Sequence, residues 1–221
     1  VNRKHTVLVT GFGPFPGAPF NPSGPLARKL AAIRRPALAD IKLHAHVFPT
    51  SYRAVDQELP ALIAKHHPDA ILMFGLATRS RHVRIETQAR NTLSSFPDAS
   101  GRAAKAPAIA PSKQSSLPIR APRGALLHAA RRGPIPARLS RDAGRYLCNY
   151  LYWRGLEAAG NPGGPRIVVF VHIPNVRRTP SRKGAKRRHV SQRDLATTGE
   201  AILCALSPAL NRHVLQARPG S

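Results

Sequence analysis

Strand-length apolar runs and helix-period patterns alternate from one end of the chain to the other. Thr6, Val7, Leu8, Val9 and Thr10 read as a first strand. A Gly/Pro-rich stretch separates it from a helix over 23–34, in which Leu26, Ala27, Leu30 and Ile33 recur at helical spacing. Leu43, Ala45 and Val47 alternate with Lys42, His44 and His46, the pattern of a half-buried strand with both histidines on its solvent face. A second helix is expected over 53–66, with Leu59, Leu62 and Ile63 inward. It leads into Ala70, Ile71, Leu72, Met73 and Phe74, a continuous apolar run of the kind buried under helices on both faces. A short helix over 124–132, a strand over 135–140, a longer helix over 145–159, a strand over 167–173 and a last helix over 192–206 continue the alternation. This order implies an α/β fold, an α/β/α sandwich around a mostly parallel twisted sheet.

Between 92 and 122 the periodicity fails and Ser, Ala, Pro and Lys dominate. The expectation there is an irregular loop region, too long for a simple connection, and either a surface insertion or an active-site covering. With 221 residues, no internal repeat and no linker, one domain over 1–221 is the expected organisation. The formal net charge of +25 brings nucleic acid to mind. Against it, the basic residues are scattered, aromatic content is only 5%, and no recognised nucleic-acid-binding pattern is present. The densest basic run, over 177–190, contains Pro and Gly and reads as a solvated loop, so only weak, salt-sensitive polyanion binding is expected.

Two cysteines make no disulfide framework, and neither has a metal-ligand spacing, so a reducing context without metal or cofactor is expected. The first residues enter a strand without a secretory apolar stretch, and the longest apolar runs are of strand length. The expectation is a cytoplasmic protein with no membrane span.

Candidate chemistry concentrates at Cys148, placed in the first turn of the 145–159 helix after a strand and a tight turn. There the helix N-terminus favours a thiolate. His172 sits at the far end of an apolar strand, where it can meet that thiol at one sheet edge. The blander reading is a packed, inert cysteine, the commoner fate of this residue type. Cys204, mid-helix in the last helix, is assigned to the core on that reasoning. Gly11, Gly13 and Gly17 after the first strand miss the dinucleotide-binding spacing, and Pro14 removes an amide donor. The same turn carries Phe12 and Phe15 at the carboxyl end of a strand, where open α/β sheets bind ligands. Glu86 closes an alternating segment in a chain with only 10 acidic residues, as either a surface ion-pair partner or a histidine-orienting carboxylate.

Together these pieces resemble the pyroglutamyl peptidase I family of cysteine peptidases. The likeness runs from about Thr6 to Leu206 in the family's order. It comprises Thr10 to Phe15, Asn21-Pro22-Ser23, Gly75-Leu76-Ala77 with Glu86 and Asn91, Phe96-Pro97-Asp98 with Gly101, Ser140 to Asn149, and Val171 to Pro174. The resemblance implies a catalytic triad of Cys148, His172 and Glu86. It further implies that Phe12 and Phe15 line a pyroglutamyl pocket and that backbone groups near Leu76 bind the lactam. The substrates it implies are peptides with an N-terminal pyroglutamate, and the assembly a homo-oligomer. The chain departs from the family pattern in its basic 78–81 segment, in Thr87 where Arg is frequent, and in Ile173 within the His-Val-Pro motif. The alternatives are a catalytically silent homologue, a polyanion-binding protein on the same scaffold, or a thiol hydrolase for another small acyl substrate.

Overall fold

The computed structural model describes residues 4–104, 106–111, 114–176 and 189–216. Most of the basic 177–190 segment therefore lies outside the described residues. The strands are β1 (His5–Phe12), β2 (Ile41–Phe48), β3 (Ala70–Leu76), β4 (Val83–Glu86), β5 (Gln88–Arg90), β6 (Ser116–Pro118), β7 (Ala137–Ser140) and β8 (Ile167–Ile173). The helices are α1 (Ser23–Ala31), α2 (Tyr52–His66), α3 (Arg123–Arg131), α4 (Leu147–Ala158), α5 (Gln192–Cys204) and α6 (Ser207–Gln216).

Six strands form one sheet in the order β2-β1-β3-β8-β4-β7. β2, β1, β3 and β8 are mutually parallel, β4 runs antiparallel to β8, and β7 follows β4 in parallel. β3 and β8 are buried at every position, as their unbroken apolar sequences require of strands covered on both faces. Because successive side chains alternate, each strand feeds two cores. Val9, Leu72, Phe74, Val169 and Val171 pack with Leu26 and Leu30 of α1 and Leu195 and Ile202 of α5. Leu8, Ile71, Met73, Val168 and Phe170 pack with Leu59 of α2 and Leu151 and Trp153 of α4. The expected sandwich with a mostly parallel sheet is what forms.

Several local expectations are corrected. His44 and His46 do not face solvent: both are half-buried toward α2. The His44 ring stacks on His66 with centroids 4.0 Å apart, and His46 pairs with Glu58 at 2.6 Å. Ala45, expected inward, is exposed. The 92–122 region is not wholly irregular, because β6 pairs antiparallel with β5 in a short ribbon. Side-chain amides organise it where hydrophobic periodicity is lacking. Asn91 Oδ1 accepts the Ile109 and Ala110 amides, and its Nδ2 donates to the carbonyls of Ala110 and Gln114. The last helix stops at Cys204 and a separate α6 follows. Cys204 is thus at a helix end and half-buried rather than central, although it does pack against the α1/α5 core.

Candidate active site

The antiparallel entry of β4 into the sheet builds the first half of the site. Its register sets Arg84 opposite His172 and Glu86 opposite Phe170. Arg84 and Glu86 are two residues apart, so both point to the same face as His172. That face is the one covered by α4. His172 Nδ1 lies 2.8 Å from Glu86 Oε1, with the histidine only 4% and the glutamate 0% exposed. With Glu86 as a carboxylate, the bond requires Nδ1 to carry the proton and leaves Nε2 as the basic nitrogen. The Tyr152 hydroxyl, buried on α4, donates to the Glu86 carbonyl at 3.0 Å and fixes the end of β4.

The second half comes from the turn between β7 and α4. Ser140 Oγ accepts the Asp142 amide, Asp142 Oδ1 accepts the Gly144 amide at 3.0 Å, and Gly144 turns the chain with φ +84°. That left-handed conformation suits glycine, and it reverses the strand into the helix within a few residues. α4 begins at Leu147, so Cys148 is its second residue and its amide is among those without an intrahelical acceptor. Ala143, Leu147 and Leu151 are buried and anchor the turn to the sheet.

Gly75 joins the two halves. It is the register partner of His172 on the adjacent strand, and a Cβ placed on it would lie 2.8 Å from Cys148 Sγ and 2.7 Å from the Phe170 ring. The thiol therefore rests over the backbone of β3, beside the strand position of the imidazole, in space that only glycine leaves open. Asn149, the next residue, is fully buried. Its Nδ2 donates to the Arg90 and Thr92 carbonyls and its Oδ1 accepts the Arg90 amide, which clamps α4 to the β5 ribbon.

The electrostatics of the thiol have two opposing sides. Enclosure by protein pushes the Cys148 thiol up to about 12, and the Glu86 carboxylate adds to the rise. Arg84 and the thiol's own backbone amide oppose it without prevailing. Burial thus opposes what the helix N-terminus favours, and the thiol form gains over the thiolate at this sulfur.

The remaining candidates fall around this centre. Phe12, 2% exposed, packs in the same core as Cys148, with its ring 6.1 Å from that of Phe48. Its amide donates to Ser23 Oγ, and the Ser23 hydroxyl in turn donates to Asn21 Oδ1, so the Asn21-Pro22-Ser23 segment locks the first loop. Phe15 is half-exposed on a tight turn bridged to Ala18. Leu76 ends β3 opposite Ile173. The Phe96-Pro97-Asp98 loop reaches α4 through the Tyr146 hydroxyl, which donates to the Pro97 carbonyl. Asp98 accepts the amides of Tyr52, Ser100 and Arg102. Sequence reasoning missed Arg84, Gly75 as a steric requirement, and the clamp made by Asn149. Among the described residues, no group of three or more His, Cys, Asp or Glu is arranged to hold a metal, and no helix is long and apolar enough to cross a membrane.

Comparison with known proteins gives a consistent picture. A sequence profile of the pyroglutamyl peptidase family matches residues 5–205. The pyrrolidone-carboxylate peptidase of Pyrococcus furiosus is 30% identical over 175 residues, 77% of this chain and 81% of the relative. That of Clavibacter michiganensis is 31% identical over 205 residues, 90% of this chain and 92% of the relative. Among solved structures, the pyrrolidone carboxyl peptidase of Fervidobacterium islandicum superposes with a TM-score of 0.82 at 29% identity, covering 93% of this chain and 99% of the other.

Proposed function

Since the chain belongs to the pyroglutamyl peptidase family, we propose that it hydrolyses the amide bond after an N-terminal 5-oxoproline, with Cys148 as nucleophile, His172 as acid and base, and Glu86 as the orienting carboxylate. The observation that carries this reading is the 2.8 Å contact between His172 Nδ1 and the buried Glu86, on a strand position whose neighbour, Gly75, is overlain by the Cys148 sulfur. His172 Nε2 takes the Cys148 proton as Sγ attacks the pyroglutamyl carbonyl carbon. Unbonded amides at the start of α4, that of Cys148 included, face the developing oxyanion. The imidazolium then protonates the departing amine as the C–N bond breaks, leaving a thioester. Water, deprotonated by His172, releases 5-oxoproline and restores the thiol. Glu86 supports the imidazolium through the Nδ1 hydrogen bond in both halves.

Phe12 and Phe15 are assigned to the lactam ring, and the backbone near Leu76 to its polar edge. A charged α-amine buried there would lose its hydration without a partner, so ordinary N-termini are rejected. A cytoplasmic setting keeps both cysteines reduced. The basic surface would hold polyanions weakly and in a salt-sensitive way, and a homo-oligomer is the expected assembly.

The test is release of aminomethylcoumarin from its pyroglutamyl amide, with the prolyl amide as control. Cleavage of the first compound alone, abolished in Cys148→Ala, supports the proposal. No cleavage by the folded, reduced protein overturns it.

A further inference from the structure

His172 Nδ1 has two neighbours on β4, and they make opposite demands. Glu86 Oε1 at 2.8 Å needs Nδ1 to carry a proton, whereas Arg84 Nη2 at 3.3 Å can only donate to it. Arg84 Nε also stands 3.2 Å from Glu86 Oε1 as an ion pair, yet it lacks hydrogen-bond alignment. Glu86 Oε2 is likewise buried without a hydrogen-bond partner among the described residues. The guanidinium thus contributes a fixed charge more than a fixed orientation. It shares the one carboxylate oxygen that His172 uses and holds part of that negative charge for itself.

We propose that Arg84 is a positioning residue of this site, a permanent cation that divides Glu86 with His172 and sets the pH range in which the Cys148–His172 pair works. The inference rests on the peptidase reading for its role in turnover but not for its chemistry. The charged and titratable groups facing the pair from the packed elements are Arg84 and Glu86 on β4, Tyr152 on α4 and Tyr146 just before α4, while β3 offers only Gly75 at that position. A cation near the thiol favours the thiolate over the thiol and so lowers that titration. The electrostatic contribution of Arg84 at Cys148 has this sign.

The experiment compares wild type with Arg84→Gln and Arg84→Lys, with Arg84→Ser in reserve should the glutamine variant not fold. Each is followed in two ways. Iodoacetamide alkylation of the Cys148 peptide is timed at pH 8.5, by mass spectrometry because Cys204 is also free. The pH profile of kcat/KM for the pyroglutamyl coumarin amide is recorded alongside. For a titration raised by about one unit, the thiolate population falls about tenfold. The higher intrinsic nucleophilicity returns about threefold, so alkylation slows about threefold in the glutamine variant. The limb of its pH profile that follows the thiol moves to higher pH, and the lysine variant stays with wild type. Unchanged alkylation together with a thiol limb that keeps its position while only the height falls would overturn the proposal. Alkylation reports on Arg84 even where the coumarin amide is not cleaved, which separates this failure from failure of the peptidase reading.

Discussion

Replacing Gly75 by alanine perturbs the junction between the two halves of the site and nothing else. The added methyl would stand 2.8 Å from Cys148 Sγ and 2.7 and 3.0 Å from two carbons of the Phe170 ring. Ordinary contact begins at 3.4 Å, so with the backbone fixed the sulfur must retreat by about 0.6 Å and the ring by about 0.7 Å. Neither move is free. Cys148 is held at the start of α4, and the Phe170 ring lies 4.9 Å from the His172 ring, so displacing it pushes the imidazole. Overpacking of this kind costs about 1–3 kcal/mol, which for a chain of this size lowers Tm by roughly 2–12 °C. A misplacement near 1 Å costs on the order of 100-fold in rate, so kcat on the pyroglutamyl coumarin amide should fall between about 10- and 100-fold while KM changes little. Thermal melting followed by steady-state kinetics on the folded variant measures both. A Gly75→Ala protein that melts lower but turns over at the wild-type rate would refute the placement of the thiol against β3.

Three further outcomes are expected. Glu86→Gln keeps the shape but removes the charge supporting the imidazolium, so kcat should drop by roughly 10²–10⁴-fold with the protein still folded by circular dichroism. Asn149→Ala leaves the Arg90 amide and the Arg90 and Thr92 carbonyls without this partner, for a loss of about 3 kcal/mol in urea denaturation. At Asp98, burial pushes the carboxyl up, but hydrogen bonds from the Ser100 hydroxyl and the Arg102, Tyr52 and Ser100 amides outweigh it and hold the carboxyl below its usual range. Its stabilising contribution is complete above the ordinary aspartate range and disappears as pH falls through the lowered folded value. Asp98→Asn should therefore be less stable than wild type at neutral pH and show a shallower loss of Tm on acidification below about pH 4.

What could be read from the sequence followed from how strongly each segment constrains itself. β3 and β8 are continuous apolar runs with one environment open to them, and the turn before α4 announces itself through Ser140, Asp142 and Gly144. Cys148 and His172 were legible because each stands at the end of such an element. The partnership of Arg84 with both His172 and Glu86 was not, since β4 is four residues long and nothing in it reveals that it pairs antiparallel with β8. The β5–β6 ribbon escaped notice for a related reason, being made of three-residue strands held by the amides of Asn91 and Asn149. His44 and His46 carry a polar label that hides their packing against α2, where a stacked neighbour and a glutamate receive them. The upward push on the thiol comes from the chain packed around it, a property no helix position specifies.

The imidazole and its carboxylate are bonded across neighbouring strands, whereas the sulfur belongs to the helix laid over them. Whatever loosens the first turn of α4 leaves the acid–base pair standing in the sheet while the half-buried cysteine alone becomes fully open to water. There the burial that raises its proton affinity is lifted, and the sulfur is more open to oxidants than in the closed molecule. Opening of that turn then adds to the rate at which an oxidising medium claims the active protein, and the asparagine clamp beside it doubles as a guard against chemical damage.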